Sequence, residues 1–418
     1  MANPASGATA TGTTATGGGG GAGSANPFQI ATNLYCEKNL QGAVTSQVLS
    51  GTAIQQGGSV NAGQYLRCVR LMLRTLAAGT GTAAVANPDG PPSVFSAMDL
   101  VNVDGSEILF NMNGFAYLVR EKYFRPWLCE PGRRYDWIAS AGGSTPTAGA
   151  CTISLMPEIR FSAAVLANTD TRSQYRVDYT LNGATLLTGG TVTTYPTVAV
   201  IPYMDAWAQP DAQDLQGSPN QPVPPGINLQ TKARHQLFQL NGVGTDNTLL
   251  STLTGNALRG MAIITRNSSG VRADGFTDPF YWYLDNRSLG RLNPDMIRQW
   301  FEDFYSTNNL SGNSTANTGA TGTAQVATLS ATSTNAIDPI GATGLYVGPG
   351  SADVGVYVFP RWIDPGNLNG QGWLYTANST KLLFESSTAT AIGSGGTAEL
   401  ISDEVYPVGQ VDPNLVDI

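Results

Sequence analysis

The chain reads as an all-β protein with a few short helices, arranged as two similar halves. Three observations predict this. Charged residues make up only 12 %, while glycine (49) and proline (24) are abundant, a composition suited to many strands joined by turns. Met98–Phe124 and Pro279–Tyr305 each read as strand, polar turn and helical stripe. The elements around those two stretches recur in the same order. With 418 residues the chain exceeds one ordinary domain, and two units of roughly 200 residues are the natural division.

The stretch Pro279–Tyr305 carries the clearest signals. Phe280-Tyr281-Trp282-Tyr283-Leu284 suits a strand on a half-buried pleated surface. Asp285-Asn286-Arg287-Ser288 reads as a polar turn. Asn293 can cap a helix, Pro294 suits its first position and Asp295 the positive end of its dipole. Met296, Ile297, Trp300, Phe301 and Phe304 then form one apolar stripe at helical period. The earlier echo has a strand at Leu100, Val101 and Val103, a turn at Asp104-Gly105-Ser106-Glu107 and an apolar run at Ile108-Leu109-Phe110. Its helical stripe is Phe115, Leu118, Val119 and Phe124, with charges at Arg120, Glu121 and Lys122. Asp104 stands as far from Phe124 as Asp285 does from Tyr305.

In chain order, residues 1–27 form an arm of Gly, Ala and Thr, too poor in apolar side chains to offset chain entropy. The first unit spans residues 28–205. Within it Gln64–Arg74 alternates with apolar residues on both faces, predicting a strand covered on both sides. Ala77–Pro92 reads as a loop and Pro126–Tyr135 as a turn-rich crossing. Asp136–Ala141 and Ala150–Ser162 predict strands, the second broken at Pro157. Tyr175–Tyr179 and Ala184–Val192 predict a hairpin about Asn182-Gly183. Thr197–Tyr203 closes the unit. Residues 206–230, dense in Pro, Gln and Asp, read as a linker.

The second unit spans residues 231–407, and residues 408–418 form an extended acidic tail. His235–Leu240 and Ala257–Arg266 restart the strand pattern. Ser306–Gly344 reads as an exposed polar loop. Val354–Trp362 repeats the proline-broken strand at Pro360, and Lys381–Ser386 with Thr397–Tyr406 echo the closing hairpin.

Several chemistries lack their residues. The net charge of −8 and the absence of a long basic run disfavour direct, sequence-specific nucleic-acid binding. Cys36, Cys68, Cys129 and Cys151 fit no zinc spacing; buried free thiols are the expectation, with a disulfide left open. No apolar run approaches the ~20 residues of a membrane helix, and the N-terminus lacks the basic and apolar regions of a secretory signal. The single histidine, His235, opens a strand and is expected to be structural rather than a catalytic base. Asp104, Glu107 and Asp285 lie in turns, where aspartate is chosen for backbone hydrogen bonds. Glu302-Asp303 reads as a solvated helix face, and Gly17–Gly21 lacks the context of a phosphate loop. The run Phe280–Tyr283 is expected in the core rather than as a sugar platform. We therefore expect no catalytic, cofactor-binding or metal-binding residues and no enzyme activity.

Met98–Phe124 with Thr152–Phe161, and Pro279–Tyr305 with Val354–Trp362, make the chain resemble the double jelly-roll major capsid proteins of tailless, membrane-containing double-stranded DNA phages (tectivirus-like). The resemblance spans about Phe28 to Pro407. It implies two sandwiches of about eight strands each, side by side, and homotrimers with a pseudo-hexagonal outline that tile an icosahedral shell around membrane and genome. It also implies polar outer loops at Ala77–Pro92 and Ser306–Gly344, tails that bridge neighbours, penton and minor capsid proteins as partners, synthesis in the host cytoplasm and residence in the virion. The Gly-rich Met1–Asn26 departs from the amphipathic N-terminal helix common in that family. The competing expectation is an extracellular carbohydrate-binding or adhesin-type β-sandwich with Trp282 or Trp373 as platform.

Overall fold

The computed structural model describes residues 25–28, 34–38, 43–61, 64–77, 79–87, 89, 91–124, 151–159, 164–170, 172, 174–223, 229–277, 279–292, 355–359 and 373–406. The first half contributes β1 (Leu34–Lys38), β2 (Val44–Val48), β3 (Ile54–Ser59), β4 (Gln64–Ala77), β5 (Thr80–Ala86) and β6 (Phe95–Val101). It continues with β7 (Glu107–Met112), α1 (Gly114–Phe124), β8 (Cys151–Leu155), β9 (Leu166–Asn168), β10 (Arg176–Leu181), β11 (Leu187–Thr194) and β12 (Thr197–Trp207). The second half contributes β13 (Gln230–Gln239), β14 (Asp246–Ser251), β15 (Ala257–Arg266), β16 (Phe280–Leu284) and β17 (Arg287–Leu292). It ends with β18 (Val356–Val358), β19 (Leu374–Tyr375), β20 (Leu382–Ser387) and β21 (Thr397–Tyr406).

Each half is a sandwich of two four-stranded sheets wired identically. In the first, β2-β12-β4-β8 faces β3-β10-β6-β7. In the second, β13-β21-β15-β18 faces β14-β20-β16-β17. Numbering the eight strands of each half in chain order gives 1-8-3-6 and 2-7-4-5 both times, which is the jelly roll. The fold is a double jelly roll, as expected. β1 extends beside β12, β9 beside β4 and β19 beside β15, while β5 and β11 form a separate ribbon. A parallel bridge, Ala233 to Leu109, joins β13 to β7 and so fuses one sheet of each half edge to edge.

The repeat extends to single residues. β4 bulges at Arg67, between the pairs Asp205–Cys68 and Ala206–Leu66. β15 bulges at Arg259, between the pairs Gly260–Asp403 and Leu258–Glu404. Counting outward from the bulges matches Cys68, Arg70, Met72 and Arg74 with Gly260, Ala262, Ile264 and Arg266.

Alternation fills both cores. Val69, Leu71 and Leu73 of β4 point inward with Phe95, Leu100 and Ile153. In the second half Phe280 and Trp282 turn inward, where the Trp282 ring stacks on Phe359 (5.1 Å between centroids) and Phe384 (5.9 Å). α1 begins where Asn113 accepts the Ala116 N–H at 2.9 Å, an N-cap. Gly114 is required there, since a Cβ would sit 2.2 Å from the Pro92 carbonyl oxygen.

Five expectations change. Ala77–Pro92 is not all loop, because β5 pairs with β11. Arg287 and Ser288 are not turn residues: the turn shrinks to Asp285-Asn286 and β17 follows at once. Likewise Glu107 opens β7. β14 lies in a stretch that carried no strand expectation. Neither closing hairpin exists: β10 pairs with β3 and β6 while β11 pairs with β5, and β20 and β21 lie in opposite sheets. Turn chemistry is local, whereas these chains cross between sheets because both faces must be covered. The expected helix at Asn293–Tyr305, the Ser306–Gly344 loop, Asp136–Ala141, Pro360–Trp362, residues 408–418 and most of the arm lie outside the described residues.

Candidate functional site: the seam between the sandwiches

His235, Asp104 and Asp285 each make local polar contacts. His235 lies on β13 with Nδ1 3.5 Å from the Glu399 carboxylate, which also accepts the Asn113 side-chain amide at 3.1 Å. Asp104 accepts the Ser106 N–H (2.9 Å) and hydroxyl (2.6 Å), and these bonds hold its carboxyl below the usual range. Asp285, in the left-handed region at φ 53°, accepts the Thr380 N–H and hydroxyl and the Lys381 N–H, and is lowered for the same reason. The two aspartates occupy the same turn of the two sandwiches, between β6 and β7 and between β16 and β17. Glu302, Asp303 and Gly17–Gly21 lie outside the described residues.

Trp282 and Trp373 are buried, which rules both out as exposed platforms. Cys68 and Cys151 are buried, and burial pushes the Cys68 thiol up to about 12. Among the described residues no group of His, Cys, Asp and Glu could hold a metal, and no helix is long and apolar enough to cross a membrane.

What the structure does build is a polar seam between the halves. α1 of the first sandwich lies against β15 and β21 of the second. Asp403 on β21 accepts Arg120 Nε (3.0 Å) and Nη2 (2.8 Å) through Oδ1, and Arg259 Nη1 (2.6 Å) through Oδ2. All three side chains are at most 1 % exposed. Arg120 also donates to the Met156 carbonyl. Beside this triad Phe124 packs on Gly260, where a Cβ would come within 2.3 Å of the ring. Further along, Asp89 pairs with both Arg266 and Arg272, whose guanidiniums lie 5.6 and 4.4 Å from the Phe115 ring centre.

A buried charge is tolerable only when paired and hydrogen-bonded, so these contacts specify one relative placement of the two sandwiches. The charge of Arg120 is plain in the sequence, but its partner lies far along the chain. A usable signal was present: Arg259 interrupts the apolar run Ala257–Ile264, and Asp403-Glu404 interrupts Ile401–Val405.

The body also holds the chain where it enters and crosses over. Asn26 donates to Asp214 (2.7 Å) and Asn220 (3.1 Å) in the segment between β12 and β13. Phe28 meets Tyr65 edge-on, and the Tyr65 hydroxyl donates to the Pro222 carbonyl.

No protein-family model matches the chain, and no curated protein matches its sequence. Solved structures do. The crystal structure of the STIV major capsid protein aligns with a TM-score of 0.52 and 12 % identity, covering 91 % of this chain and 99 % of that one. A chain of the atomic structure of Sulfolobus turreted icosahedral virus aligns at 0.54 and 10 % identity, covering 90 % and 92 %. The major capsid protein of bacteriophage PM2 aligns at 0.44 and 11 %, covering 90 % and 98 %. In fold, the chain resembles the double jelly-roll major capsid proteins of viruses over nearly its whole length.

Proposed function

We propose that this chain is a major capsid protein, a structural subunit with no catalytic role. The observation that carries the reading is the pair of identically wired sandwiches joined by a buried ionic seam. Two similar wedges held at one angle suit a subunit that tiles a surface. In this reading three copies form a pseudo-hexagonal trimer, and trimers tile an icosahedral virion shell around an internal membrane and double-stranded DNA. The arm (1–27), first jelly roll (28–205), linker (206–230), second jelly roll (231–407) and tail (408–418) are its working parts. The β5–β11 ribbon would stand among the outer loops. The partners would be neighbouring trimers, penton and minor capsid proteins and the viral membrane, with synthesis in the host cytoplasm.

Burial of Trp282 and Trp373 counts against the carbohydrate-binding alternative, whose platforms they were to be. Light scattering of the purified chain tests the reading: a stable trimer with three-fold, hexagonally outlined particles in negative stain is expected. A strict monomer, both in dilute buffer and under assembly conditions, refutes it.

A further inference from the structure

β3 and β14 are equivalent strands, the second of each jelly roll, and both lie at the edge of a sheet. The two edges are finished differently. In the second half the Thr388 N–H donates to the Thr245 carbonyl, so Asp246, Thr248 and Leu250 turn their backbone groups away from β20. Side chains from β13 and the loop after it meet them. Gln236 Nε2 donates to the Leu250 carbonyl (3.4 Å), its Oε1 accepts the Thr252 N–H (3.3 Å), and Asn241 Nδ2 donates to the Asp246 carbonyl (2.8 Å). That edge is capped by the chain's own amides.

β3 has no such cover among the described residues. The Val60 N–H donates to the Tyr175 carbonyl at 2.7 Å, which fixes the alternation. Ile54, Gln56 and Gly58 bond to β10, while Gln55, Gly57 and Ser59 turn their N–H and C=O groups to the open side. Gln55 and Gly57 are exposed. Ile54–Ser59 contains no Lys and no Pro, and its ladder with β10 runs without a bulge. Those are the devices that keep a foreign strand off an edge.

The same three residues border an open cleft of about 620 Å³ on the outer face of the sheet. Of the three, only Gly57 lacks a side chain. A Cβ there would lie 2.3 Å from Asp178 Oδ1, so that oxygen occupies the space over the glycine. Asp178 Oδ2 accepts Arg176 Nε at 2.6 Å. Asp99, half-buried, stands across the next ladder from Asp178. A carboxylate oxygen thus lies directly inward of the one gap in the open edge.

We propose that β3 is a docking edge for an extended segment of another protein, which adds a strand beside Gln55–Ser59 and lays a lysine or arginine across Gly57 onto Asp178. Main-chain hydrogen bonds to Gln55, Gly57 and Ser59 supply the affinity, and the basic side chain supplies the choice of partner. Adjacent strands lie about 4.8 Å apart. A residue opposite Gly57 is two such spacings from Asp178, whose carboxylate already reaches back over the glycine, and the long stem of Lys or Arg spans the rest. Composition argues for a different protein. Neither terminal segment of this chain, 1–24 or 408–418, contains a Lys or Arg, so the arm and tail cannot supply the cation. The inference stands apart from the capsid reading, since strand addition needs only one folded chain.

The test uses the full chain and a short fluorescein-labelled peptide that alternates valine and threonine about a central lysine. Anisotropy measures binding, and hydrogen–deuterium exchange read by mass spectrometry measures protection of residues 54–60. Expected are saturable binding and slowed exchange across β3. Replacing the central lysine by glutamate should weaken binding about tenfold, since an attractive cross-strand pair becomes a repulsive one. Asp178→Asn should remove the preference for lysine. Gln55→Pro, which deletes an N–H facing the open side, should weaken both peptides with the melting temperature kept. No binding, equal binding of the two peptides to the wild type, or protection confined to strands other than β3 overturns the proposal. So does a lysine preference that survives Asp178→Asn. An edge already protected in the chain alone would mark a second copy as its occupant and overturn it too. Should Gln55→Pro fail to fold, the lysine–glutamate contrast in the wild type and in Asp178→Asn decides.

Discussion

Asp205 and Asp403 stand at the same step of the same β-bulge, one in each sandwich, and differ in what lies above them. Asp403 is sealed under α1 between Arg120 and Arg259. Among the described residues Asp205 pairs with one arginine, Arg70, near the surface. One repeated element thus serves as an internal joint in one half and as a partly open face in the other.

The joint and the face should differ in energetic weight. Removing one partner of a buried ion pair strands a charge and costs about 3–5 kcal/mol, whereas partly exposed pairs contribute about 0–1 kcal/mol. Arg120→Ala should therefore lower stability by about 3–5 kcal/mol in chemical denaturation. Arg70→Ala should cost the isolated chain about 1 kcal/mol or less. Equal losses would contradict the assigned roles.

Gly260 and Phe124 should behave as a coupled pair. Gly260→Ala pushes a methyl group into the Phe124 ring, and overpacking of this kind costs about 1–3 kcal/mol. Phe124→Leu in the same chain should recover part of that loss. A double-mutant cycle reads the coupling, and strict additivity would show that the ring does not bear on the glycine.

Asp99 gives a pH signature. It sits directly across the β6–β10 ladder from Asp178, in an open cleft of about 620 Å³ lined also by Gly57, Asn111 and Arg176. Burial first, then the Asp178 and Glu107 charges, raise its carboxyl to about 6, against the relief of Arg176. The sign follows from linkage. The folded state holds this proton more tightly than the unfolded chain does, so the Asp99 contribution to stability improves as pH falls from above 6 to below about 4. Asp99→Asn should raise the melting temperature at pH 8, with the gain fading by pH 4. A gain independent of pH would show that the carboxyl charge is not its cause.

The Asp285 turn gives the opposite sign. Its carboxyl is held low by the Thr380 and Lys381 donors, so its contribution is present above the ordinary carboxylate range and is lost as pH falls through its lowered value. Asp285→Ala should destabilise at pH 7, with the gap narrowing in acid to the cost of an alanine in the left-handed backbone. Asp285→Asn, which keeps an acceptor oxygen and tolerates the left-handed backbone, should be the milder change at pH 7. If the alanine variant matched the wild type across the range, the turn would not depend on this side chain.

Much of the architecture was legible because it is written locally. Alternation marked β4, apolar and aromatic runs marked β15 and β16, and the matched turns at Asp104 and Asp285 exposed the repeat. The inward placing of Phe280 and Trp282 followed from an aromatic strand needing a core. β14 and β17 escaped notice because they are short and polar, and Arg287 and Ser288 resemble turn residues as readily as strand residues. The two hairpins failed for a deeper reason. An Asn-Gly pair announces a turn, but which strand it is delivered to depends on the opposite sheet. Strand period, turn positions and the twofold repeat were thus set by the sequence alone, since each depends on neighbours along the chain. The tertiary structure alone decided that Arg120, Arg259 and Asp403 meet, and that one bulge is covered while its twin stays open, because a buried charge is defined by what packs over it from far away in the chain.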